Sequence, residues 1–588
     1  MTQPGGHAAV NHFEQGNTRL AQGQLDGAIA SYRQALLLKR DDASAYCNLG
    51  MALNAKGQFE EAVGHLQQAL RLDPASVHAH INLGNALCNL RRPDQAIAHY
   101  RQALTLRPGL AGLHHNLGKA LQDQGHSDEA IGHYRQALLI EPNYGDAYLD
   151  LAKALVEQGQ VDEAAAIYRK ILLHLPDNAE IHSSLLFVLQ SVSSCPPPAL
   201  FAEHLRYADM VEIPLKPFWQ PHDNRRDPER RLKVGYVSGD FHRHPVAYFL
   251  EPILTHHDKS QVELFGYSNN AYSDQHTGRI AAAMDHWLLC TGLSDEQLAA
   301  RIRLDAIDIL VDLSGHTALN RLPVFARKPA PVQVSYIGYP GSTGLSAIDY
   351  RISDPWQDPV GLTERYHSET LVRLAGGMAY QPDAGAPDVN ALPALTSGEL
   401  MLACLNNLSK VSPAVINLWA RILHALPQAQ LMLGNVNDSS TRERLLDLFG
   451  QAGIGPERLM LQPRVPMADY LALHHQIDLA LDPFPYNGGT TTMHSLWMGV
   501  PVITLAGDHA VSRLCAAHLS RVGLDAFITH SEDEYLQCAV KFANDLPALD
   551  AVRQSLRARM NAPACQPAAI TRQLEAAYRD MWRTWCNS

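Results

Sequence analysis

A spacing of 34 residues recurs through the first third of the chain and constrains its fold more than any other feature. Leu-Gly or Leu-Ala pairs keep this interval, starting at Leu49, Leu83, Leu117 and Leu151. So do large side chains at Tyr32, Leu66, Tyr100, Tyr134 and Tyr168. Prolines fall where each unit must end, because proline cannot continue a helix: Pro74, Pro108, Pro142 and Pro176. We therefore predict about five helix–turn–helix units over residues 12–181.

The unit resembles the tetratricopeptide repeat, in which a small Leu-Gly site on one helix lets the second helix pack closely. One unit cannot bury its own apolar face, so stacked units form an all-α superhelix with a concave surface. Asn48, Asn82 and Asn116 precede successive Leu-Gly pairs, with Asp150 in the fourth place. An amide both donates and accepts, so we predict that this row binds the main chain of an extended peptide. A generic protein-binding solenoid with solvated asparagines is the alternative.

The sequence changes character after residue 190, where a triple proline and a charged stretch indicate a helical cap and linker over 191–230. Short aliphatic runs then alternate with amphipathic stretches, which predicts βαβ units and parallel sheets. The predicted strands are 232–237, 262–267, 307–312, 332–337 and 371–374, then 400–405, 430–433, 458–461, 477–482 and 500–505. We predict a repeat domain over 1–190, the linker, and two Rossmann-like α/β domains over 231–390 and 391–588. Two such halves form a cleft at the carboxyl ends of their strands.

Charge and composition exclude several functions. A formal net charge of -12 disfavours nucleic acid and anionic membranes, which require clustered Lys and Arg. The first ten residues lack the features of a secretory signal, and no run approaches the ~18 apolar residues of a membrane span. The nine cysteines lack metal-type spacing and indicate reduced thiols. We expect a cytoplasmic protein without a cofactor or a metal site.

The strongest local signal for chemistry is the segment 477–492. A buried strand and a proline-rich turn lead through Gly488 and Gly489 to Thr490 and Thr491 at the start of a helix. A helix N-terminus offers unpaired N–H groups and a positive dipole end, which suit a diphosphate. An ordinary capped turn is the alternative. Walker, G-x-G-x-x-G and G-x-S-x-G motifs are absent, which disfavours NTPases, dinucleotide enzymes and hydrolases.

Three other loops follow predicted strands and should face the same cleft. Lys410 lies between a strand and a helix, and the chain has no Asp-x-Asp pair to bridge a metal and a diphosphate. We therefore predict that the Lys410 ammonium neutralises a departing diphosphate, with a merely solvated lysine as the alternative. A second loop contains His242 and His244, whose imidazoles suit proton transfer near neutral pH. The third loop, residues 338–344, is rigid and rich in backbone groups.

Together these segments resemble the protein O-GlcNAc transferase family, which joins tetratricopeptide repeats to a two-Rossmann (GT-B) catalytic region. The resemblance spans nearly the whole chain. It rests on residues 234–241 with His244 and Pro245, on residues 338–341, on Asn407 and Lys410, and on residues 487–491. It implies an inverting, metal-independent transfer of N-acetylglucosamine from UDP-GlcNAc to Ser or Thr hydroxyls of proteins held by the repeats.

The resemblance also implies residue roles. His244 matches the family's active-site histidine, a base or a group that orients acceptor and phosphate, and Lys410 matches the diphosphate-binding lysine. Asp305, in the sugar region, is assigned a catalytic role. The implied donor-binding residues are Asn407, Lys410, Tyr470, Gly488, Gly489, Thr490, Thr491, His494, Gly338, Pro340 and Gly341. The asparagine row matches the family's peptide-binding ladder.

Four positions depart from the animal members of the family. Gly489 and Asp308 replace histidines, His494 replaces an aspartate that contacts the ribose, and Tyr470 replaces a histidine near the uracil. The long insert that splits the animal catalytic region is missing, which indicates a compact, bacterial-type member. The donor therefore stays open between UDP-GlcNAc, UDP-glucose and GDP-fucose, the last as in related plant protein O-fucosyltransferases. A non-catalytic nucleotide-sugar scaffold and a homodimer through an apolar solenoid edge also stay open.

Overall fold

A computed structural model describes residues 4–588, which divide into two compact units. Unit 1 contains the chain up to Gln158 together with Asp438–Glu443, and unit 2 contains Gly159–Asn437 and Arg444–Ser588. Within residues 4–588, no helix combines the length and the apolar character needed to cross a membrane. Among the same residues, no three His, Cys, Asp or Glu side chains form a group that could hold a metal ion.

Unit 1 is built of helix hairpins. Its helices are α1 (Pro4–Ala21), α2 (Leu25–Leu38), α3 (Ala43–Ala55), α4 (Phe59–Leu72), α5 (Val77–Asn89), α6 (Pro93–Leu106), α7 (Ala111–Asp123), α8 (Ser127–Ile140) and α9 (Gly145–Glu157). The Leu-Gly sites explain the close pairing, since a Cβ on Gly84 would lie 2.4 Å from the Tyr100 ring. Tyr32, Tyr100 and Tyr134, which recur at the repeat spacing, are fully buried. The predicted helical repeats are confirmed.

Unit 2 begins with α10 (Val161–His174), α11 (Ala179–Leu189) and α12 (Pro197–Val211). A first sheet follows, with β1 (Leu232–Ser238), β2 (Val262–Ser268), β3 (His286–Leu289), β4 (Ile309–Asp312), β5 (Val332–Ser335), β6 (Tyr350–Ser353) and β7 (Thr370–Arg373). Its order is β3-β2-β1-β4-β5-β6-β7, and all neighbours are parallel. The helices of this part are α13 (Pro245–His256), α14 (Gln275–Ala283), α15 (Asp295–Leu304) and α16 (Leu322–Phe325).

The second sheet has β8 (Met401–Cys404), β9 (Gln430–Leu433), β10 (Leu459–Leu461), β11 (Leu479–Leu481), β12 (Val502–Leu505) and β13 (Ile528–Thr529). Its order is β10-β9-β8-β11-β12-β13, again all parallel. The helices of this part of the chain are α17 (Ala394–Ser397), α18 (Pro413–Ala425), α19 (Ser439–Gln451), α20 (Met467–Leu473), α21 (Thr490–Trp497), α22 (Leu514–Arg521), α23 (Glu532–Ala543), α24 (Leu546–Met560) and α25 (Pro567–Asn587).

The strand order reverses between β1 and β4 in the first sheet and between β8 and β11 in the second. Loops that follow strands on either side of such a point diverge and leave a crevice at the carboxyl edge. The predicted fold class, helical repeats followed by parallel α/β domains, is confirmed. The reversal points identify the loops after β1 and β4, and after β8 and β11, as the places to look for a site.

Three strands were not predicted from the sequence, and the last helix packs on a different sheet from the one expected. The sequence analysis did not predict β3, which is a partly exposed edge strand, β6, or the two-residue β13. β6 was obscured because it contains Arg351, a buried guanidinium that donates to the Tyr339 carbonyl at 2.8 Å. The final helix α25 packs into the core of the first sheet through Ile570, Leu574 and Tyr578. The predicted domain boundaries themselves stay a prediction.

Candidate active site

The first turn of α21 lies at the carboxyl edge of the second sheet, beside its reversal point. The helix begins at Thr490, and its N-cap residue, Gly489, provides no side-chain hydrogen bond to the first turn. The N–H groups of an uncapped first turn need partners, and the helix dipole adds positive character there. This turn can therefore bind an anion through its backbone.

Asp482 holds the turn that leads into α21. It is buried just after β11, where its Oδ1 accepts from the Gly488 N–H at 2.7 Å and its Oδ2 accepts from the Thr504 hydroxyl at 2.7 Å. Burial raises the pKa of the Asp482 carboxyl and lowers the pKa of the Lys410 ammonium, and the attraction between the two groups opposes both shifts. Asp482 thus fixes the glycine turn and lies near the positive charge of the site.

Lys410 lies at the same edge, at the end of a 3-10 turn after β8 that the side chain of Asn407 caps. Its Nζ donates to the Asn487 carbonyl at 2.8 Å and lies 4.0 Å from the centre of the Tyr486 ring. Both partners belong to the turn that precedes Thr490. The structure therefore brings the predicted lysine and the predicted threonine turn together, whereas Asn407 itself is exposed.

His244 occupies the corresponding position in the first sheet, as the N-cap of α13 after β1. Its Nδ1 lies 3.4 Å from the Val246 backbone nitrogen and 3.6 Å from Asp240 Oδ2. Burial, and after it the neighbouring His242, lowers the pKa of His244 to about 4, so the imidazole is neutral at pH 7. A neutral imidazole can accept a proton or orient a hydroxyl group.

One ring contact joins α13 to α21 within unit 2. Tyr248, one turn after His244, meets the ring of His494, one turn after Thr490, edge-on at a centroid distance of 5.4 Å. An α-helix rises about 1.5 Å per residue, so each helix N-terminus lies about 6 Å along its axis from this contact. The two predicted chemical segments, one from each sheet, therefore belong to one region of unit 2.

His494 lies in a cluster of tyrosines. The rings of Tyr470 and Tyr380 contact it at centroid distances of 5.4 Å and 6.2 Å. Tyr470 lies within hydrogen-bond reach of the Thr491 hydroxyl. Burial lowers the pKa of His494 to about 4, and its buried Nε2 has no hydrogen-bond partner within the described residues. A neutral imidazole nitrogen is thus available to a ligand beside the predicted donor-binding threonines.

The loop after β5 is fixed from two sides. Gly338 packs so closely on the loop after β4 that a Cβ would lie 1.9 Å from the Leu313 carbonyl oxygen. The Tyr339 hydroxyl accepts from Gln190 Nε2 at 2.6 Å and lies 2.8 Å from His204 Nε2. The loop continues through the other two predicted donor contacts, Pro340 and Gly341, which line a cavity of about 30 Å³.

Asp305 does not join these residues. It ends α15, four positions before β4 begins at Ile309, and so lies at the amino edge of the first sheet. Its Oδ2 accepts from the Tyr267 hydroxyl at 2.8 Å and pairs with Arg301 at 3.0 Å. The length of β4, about 13 Å for four residues, separates this edge from the loops at the carboxyl edge. The structure therefore gives no positional support to the predicted catalytic role of Asp305.

The predicted asparagine row lies on α3, α5 and α7 of unit 1, and its three side chains are half-buried. Each Nδ2 has a contact in the preceding repeat: Asn48 with Asn17 Oδ1 at 2.9 Å, Asn116 with Asn85 Oδ1 at 3.2 Å, and Asn82 with Cys47 Sγ at 4.0 Å. No donor to their Oδ1 atoms is recorded within the described part of the chain. The row therefore presents three acceptors, while Asp150 in the fourth place binds His115 at 2.8 Å.

Four side chains at the site were not assigned a role from sequence: Asp240, Tyr248, Asp482 and Tyr486. Asp240 is the second residue after β1, and Asp482 is the first residue after β11. That placement after a buried strand was a signal available in the sequence. The two tyrosines act through neighbours that are distant in sequence, so no local pattern indicated them.

Comparisons with known proteins agree with this architecture. The model of glycosyl transferase family 41 matches residues 178–378 and 392–571, and tetratricopeptide models match segments between residues 16 and 186. The chain is 40% identical over 374 residues to the probable UDP-N-acetylglucosamine–peptide N-acetylglucosaminyltransferase SPINDLY of Petunia hybrida. It is 31% identical over 388 residues to the probable enzyme of the same description, SEC, of Arabidopsis thaliana.

These alignments cover 62% and 63% of this chain, but they span only 40% of the length of each plant relative. A solved structure of a mutant O-GlcNAc transferase from Thermobaculum terrenum matches more completely. It covers 93% of this chain and 98% of its own, with 33% identity and a TM-score of 0.71. The family model matches more than half of the chain, on both sheets of unit 2. The chain therefore belongs to glycosyl transferase family 41.

Proposed function

We propose that the chain is a glycosyltransferase that moves N-acetylglucosamine from UDP-GlcNAc to Ser or Thr hydroxyls of peptides. The observation that carries this proposal is the Lys410 Nζ, 2.8 Å from the Asn487 carbonyl in the turn before the uncapped helix α21. A fixed ammonium beside an uncapped helix N-terminus suits a diphosphate leaving group. The descriptions of the plant relatives support the same donor and a peptide acceptor, and the description of the Thermobaculum terrenum enzyme supports transfer of the same sugar.

The proposed reaction is a single displacement with inversion at C1 of the sugar. The acceptor oxygen forms a bond to C1 while the bond from C1 to the diphosphate oxygen breaks, and that electron pair leaves with the diphosphate. Lys410 and the first turn of α21 stabilise the negative charge that develops there. The acceptor proton passes to His244, which is neutral at pH 7 because burial lowers its pKa to about 4. Since Lys410 supplies a fixed positive charge, we propose that no divalent ion is required.

We propose that unit 1 binds the acceptor as an extended peptide. The Nδ2 atoms of Asn48, Asn82 and Asn116 already have contacts within the repeats. Their Oδ1 atoms receive no donor from the described residues and are therefore available to accept hydrogen bonds from a peptide. Main-chain N–H groups of a peptide are the natural donors to such a row. Recognition of the main chain accommodates acceptors of different sequence, with the reacting hydroxyl as the common feature.

The choice of donor depends on the side chains near the predicted ribose and base positions. His494 and Tyr470 differ from the residues that contact the nucleoside in animal members of the family, and His494 is a neutral imidazole where a carboxylate is expected. A change from carboxylate to imidazole alters which ribose and base groups can be hydrogen-bonded. UDP-glucose and GDP-fucose are therefore compared directly with UDP-GlcNAc in the test.

The test incubates the purified full chain with a pool of Ser/Thr peptides and each of the three donors in parallel, with and without EDTA. We expect a peptide mass gain of one N-acetylhexosamine from UDP-GlcNAc. A gain from another donor would keep the mechanism and replace the sugar. Loss of the gain in EDTA would overturn the proposed metal independence. No gain from any donor, with tight nucleotide binding, would favour a non-catalytic scaffold.

A further inference from the structure

The Asp240 carboxylate is buried, and no hydrogen-bond donor to it is found among the residues that the structure describes. Its side chain is 12% exposed, and its ion-pair contacts within residues 4–588 are with two imidazoles. Oδ2 lies 3.6 Å from His244 Nδ1, and Oδ1 lies 3.9 Å from His242 Nε2. A buried carboxylate needs a charged or donating partner. The two histidines of the loop are the candidates, and His244 is the one at the cleft.

The other charged groups around this loop have partners of their own. On α13 and α14, Glu251 pairs with His276 and with Arg279 at 2.8 Å. Asp274 accepts from the backbone N–H groups of Arg243 and Thr277, and Tyr248 lies within hydrogen-bond reach of the Arg243 side chain. Tyr272 packs edge-on against His242 at 5.5 Å. The interaction of Asp240 with His244 is therefore not shared with another recorded carboxylate.

Two partners compete for Nδ1 of His244. The Val246 N–H, at 3.4 Å, needs a bare Nδ1 and so favours the tautomer with hydrogen on Nε2. The Asp240 carboxylate, at 3.6 Å, favours hydrogen on Nδ1 and leaves Nε2 bare. At 3.6 Å the carboxylate contact is longer than a hydrogen bond and acts through charge. A full negative charge attracts the Nδ1–H dipole more strongly than a neutral amide N–H attracts a bare Nδ1, so an ionised Asp240 selects the second tautomer. Only a bare ring nitrogen can take up a proton, and in the second tautomer that nitrogen is Nε2.

We propose that Asp240 is a positioning residue that keeps the hydrogen of His244 on Nδ1 and leaves Nε2 free to accept the proton of the acceptor hydroxyl. The inference rests on the proposed function. In the transfer step the hydroxyl proton moves to Nε2, the hydroxyl oxygen bonds to C1 of the sugar, and the diphosphate leaves with the electron pair of the broken bond. His244 becomes an imidazolium, which the ionised Asp240 stabilises.

This arrangement predicts a specific dependence on pH. Burial raises the pKa of Asp240 to about 6, whereas burial lowers the pKa of His244 to about 4. Above pH 6 the carboxylate is charged and the imidazole is neutral, which is the state that the step needs. As the pH falls through 6, Asp240 becomes protonated and loses the charge that holds the hydrogen on Nδ1. Turnover should therefore decline on the acid side of pH 6.

The first experiment compares kcat against pH for the full-length wild type and Asp240→Asn, with the donor that the wild type uses. General acid–base groups contribute roughly 100- to 10,000-fold to rates, so we expect kcat of Asp240→Asn to fall about 100-fold at neutral pH. The step near pH 6 should disappear from its profile. The control is Asp258→Asn, an exposed carboxylate-to-amide change before β2, which should keep the wild-type kcat at neutral pH and the step near pH 6. A wild-type rate and an unchanged acid limb in Asp240→Asn would overturn the inference.

A second measurement does not depend on turnover. Diethyl pyrocarbonate reacts with a bare imidazole nitrogen, and the side chain of His244 is 34% exposed. We expect His244, followed by peptide mass spectrometry, to be labelled several-fold more slowly in Asp240→Asn, because the bare nitrogen is then Nδ1, which already contacts the Val246 N–H. Equal labelling rates would overturn the inference. If the wild type transfers no sugar while the labelling difference is present, the proposed function fails and the role of Asp240 in positioning His244 stands.

Discussion

At the scale of single residues, the central assignment is the positive charge of Lys410. Its Nζ is held by the Asn487 carbonyl and the Tyr486 ring, so little reorganisation is needed when charge develops on the diphosphate. Removal of one such stabilising group commonly lowers kcat by about 100- to 1,000-fold, and we expect this loss for Lys410→Ala. Steady-state kinetics measures it. Lys541→Ala, an exposed lysine on α23, is the matched control, and an equal effect in both variants would contradict the assignment.

Some residues of the site could be predicted from sequence because they follow buried strands. His244 and Lys410 were placed in this way, and the structure has them after β1 and β8. Asp305 was predicted from the family resemblance alone. A resemblance matches the order of residues along the chain but does not say at which end of a strand a side chain lies. Tyr486 could not be predicted as a partner of Lys410, since the contact crosses from one strand-end loop to another.

At the scale of elements, the loops after β4 and β5 must touch through their backbones. A Cβ on Gly338 would lie 1.9 Å from the Leu313 carbonyl oxygen, so Gly338→Ala must push the two loops apart. Overpacking costs about 1–3 kcal/mol and sometimes more, so we expect a loss of about 2 kcal/mol in stability and lower transfer activity. Thermal unfolding followed by circular dichroism measures the first effect.

Gly292→Ala is the control for this prediction, because a Cβ there meets nothing within 4 Å. Its melting temperature should match that of the wild type. Equal melting temperatures for Gly338→Ala and the wild type would show that the loops after β4 and β5 can separate without cost. The proposal that this close contact holds Pro340 and Gly341, in the loop after β5, in a fixed position would then be wrong.

The strands that the sequence predicted are those with continuous apolar runs, such as β1 and β8. β3 and β6 were missed because an edge strand and a strand with a buried arginine lack that pattern. The packing of α25 on the first sheet could not be deduced from its amphipathic pattern. That pattern shows an apolar face, but it does not say which sheet covers it.

At the scale of the whole molecule, the two units are proposed to bind different substrates. If unit 1 binds the acceptor main chain, replacing Asn82 and Asn116 together by alanine should raise KM for long peptide acceptors and leave KM for the donor unchanged. Each lost hydrogen bond is worth about 0.5–1.5 kcal/mol, so we expect an increase of about tenfold. Asn89→Ala, an exposed asparagine outside the row, is the control.

An unchanged acceptor KM in the double variant would show that the row does not bind the peptide. The row could be predicted from sequence because the 34-residue period fixes which side chains recur at one position of the repeat. The identity of the donor could not be predicted in the same way. A diphosphate group is common to several nucleotide-sugars, and the contacts predicted to distinguish them, at His494 and Tyr470, are those in which this chain departs from animal members of the family.

The most direct test of the central claim is the intact mass of a Ser/Thr peptide after incubation with UDP-GlcNAc and EDTA, for wild type and Lys410→Ala side by side. We predict a gain of one N-acetylhexosamine with the wild type and a gain slowed by at least about 100-fold with Lys410→Ala. Equal gain with both proteins would contradict the assignment of the leaving-group charge to Lys410. No gain with the wild type, from this donor or from UDP-glucose or GDP-fucose, would contradict glycosyl transfer itself.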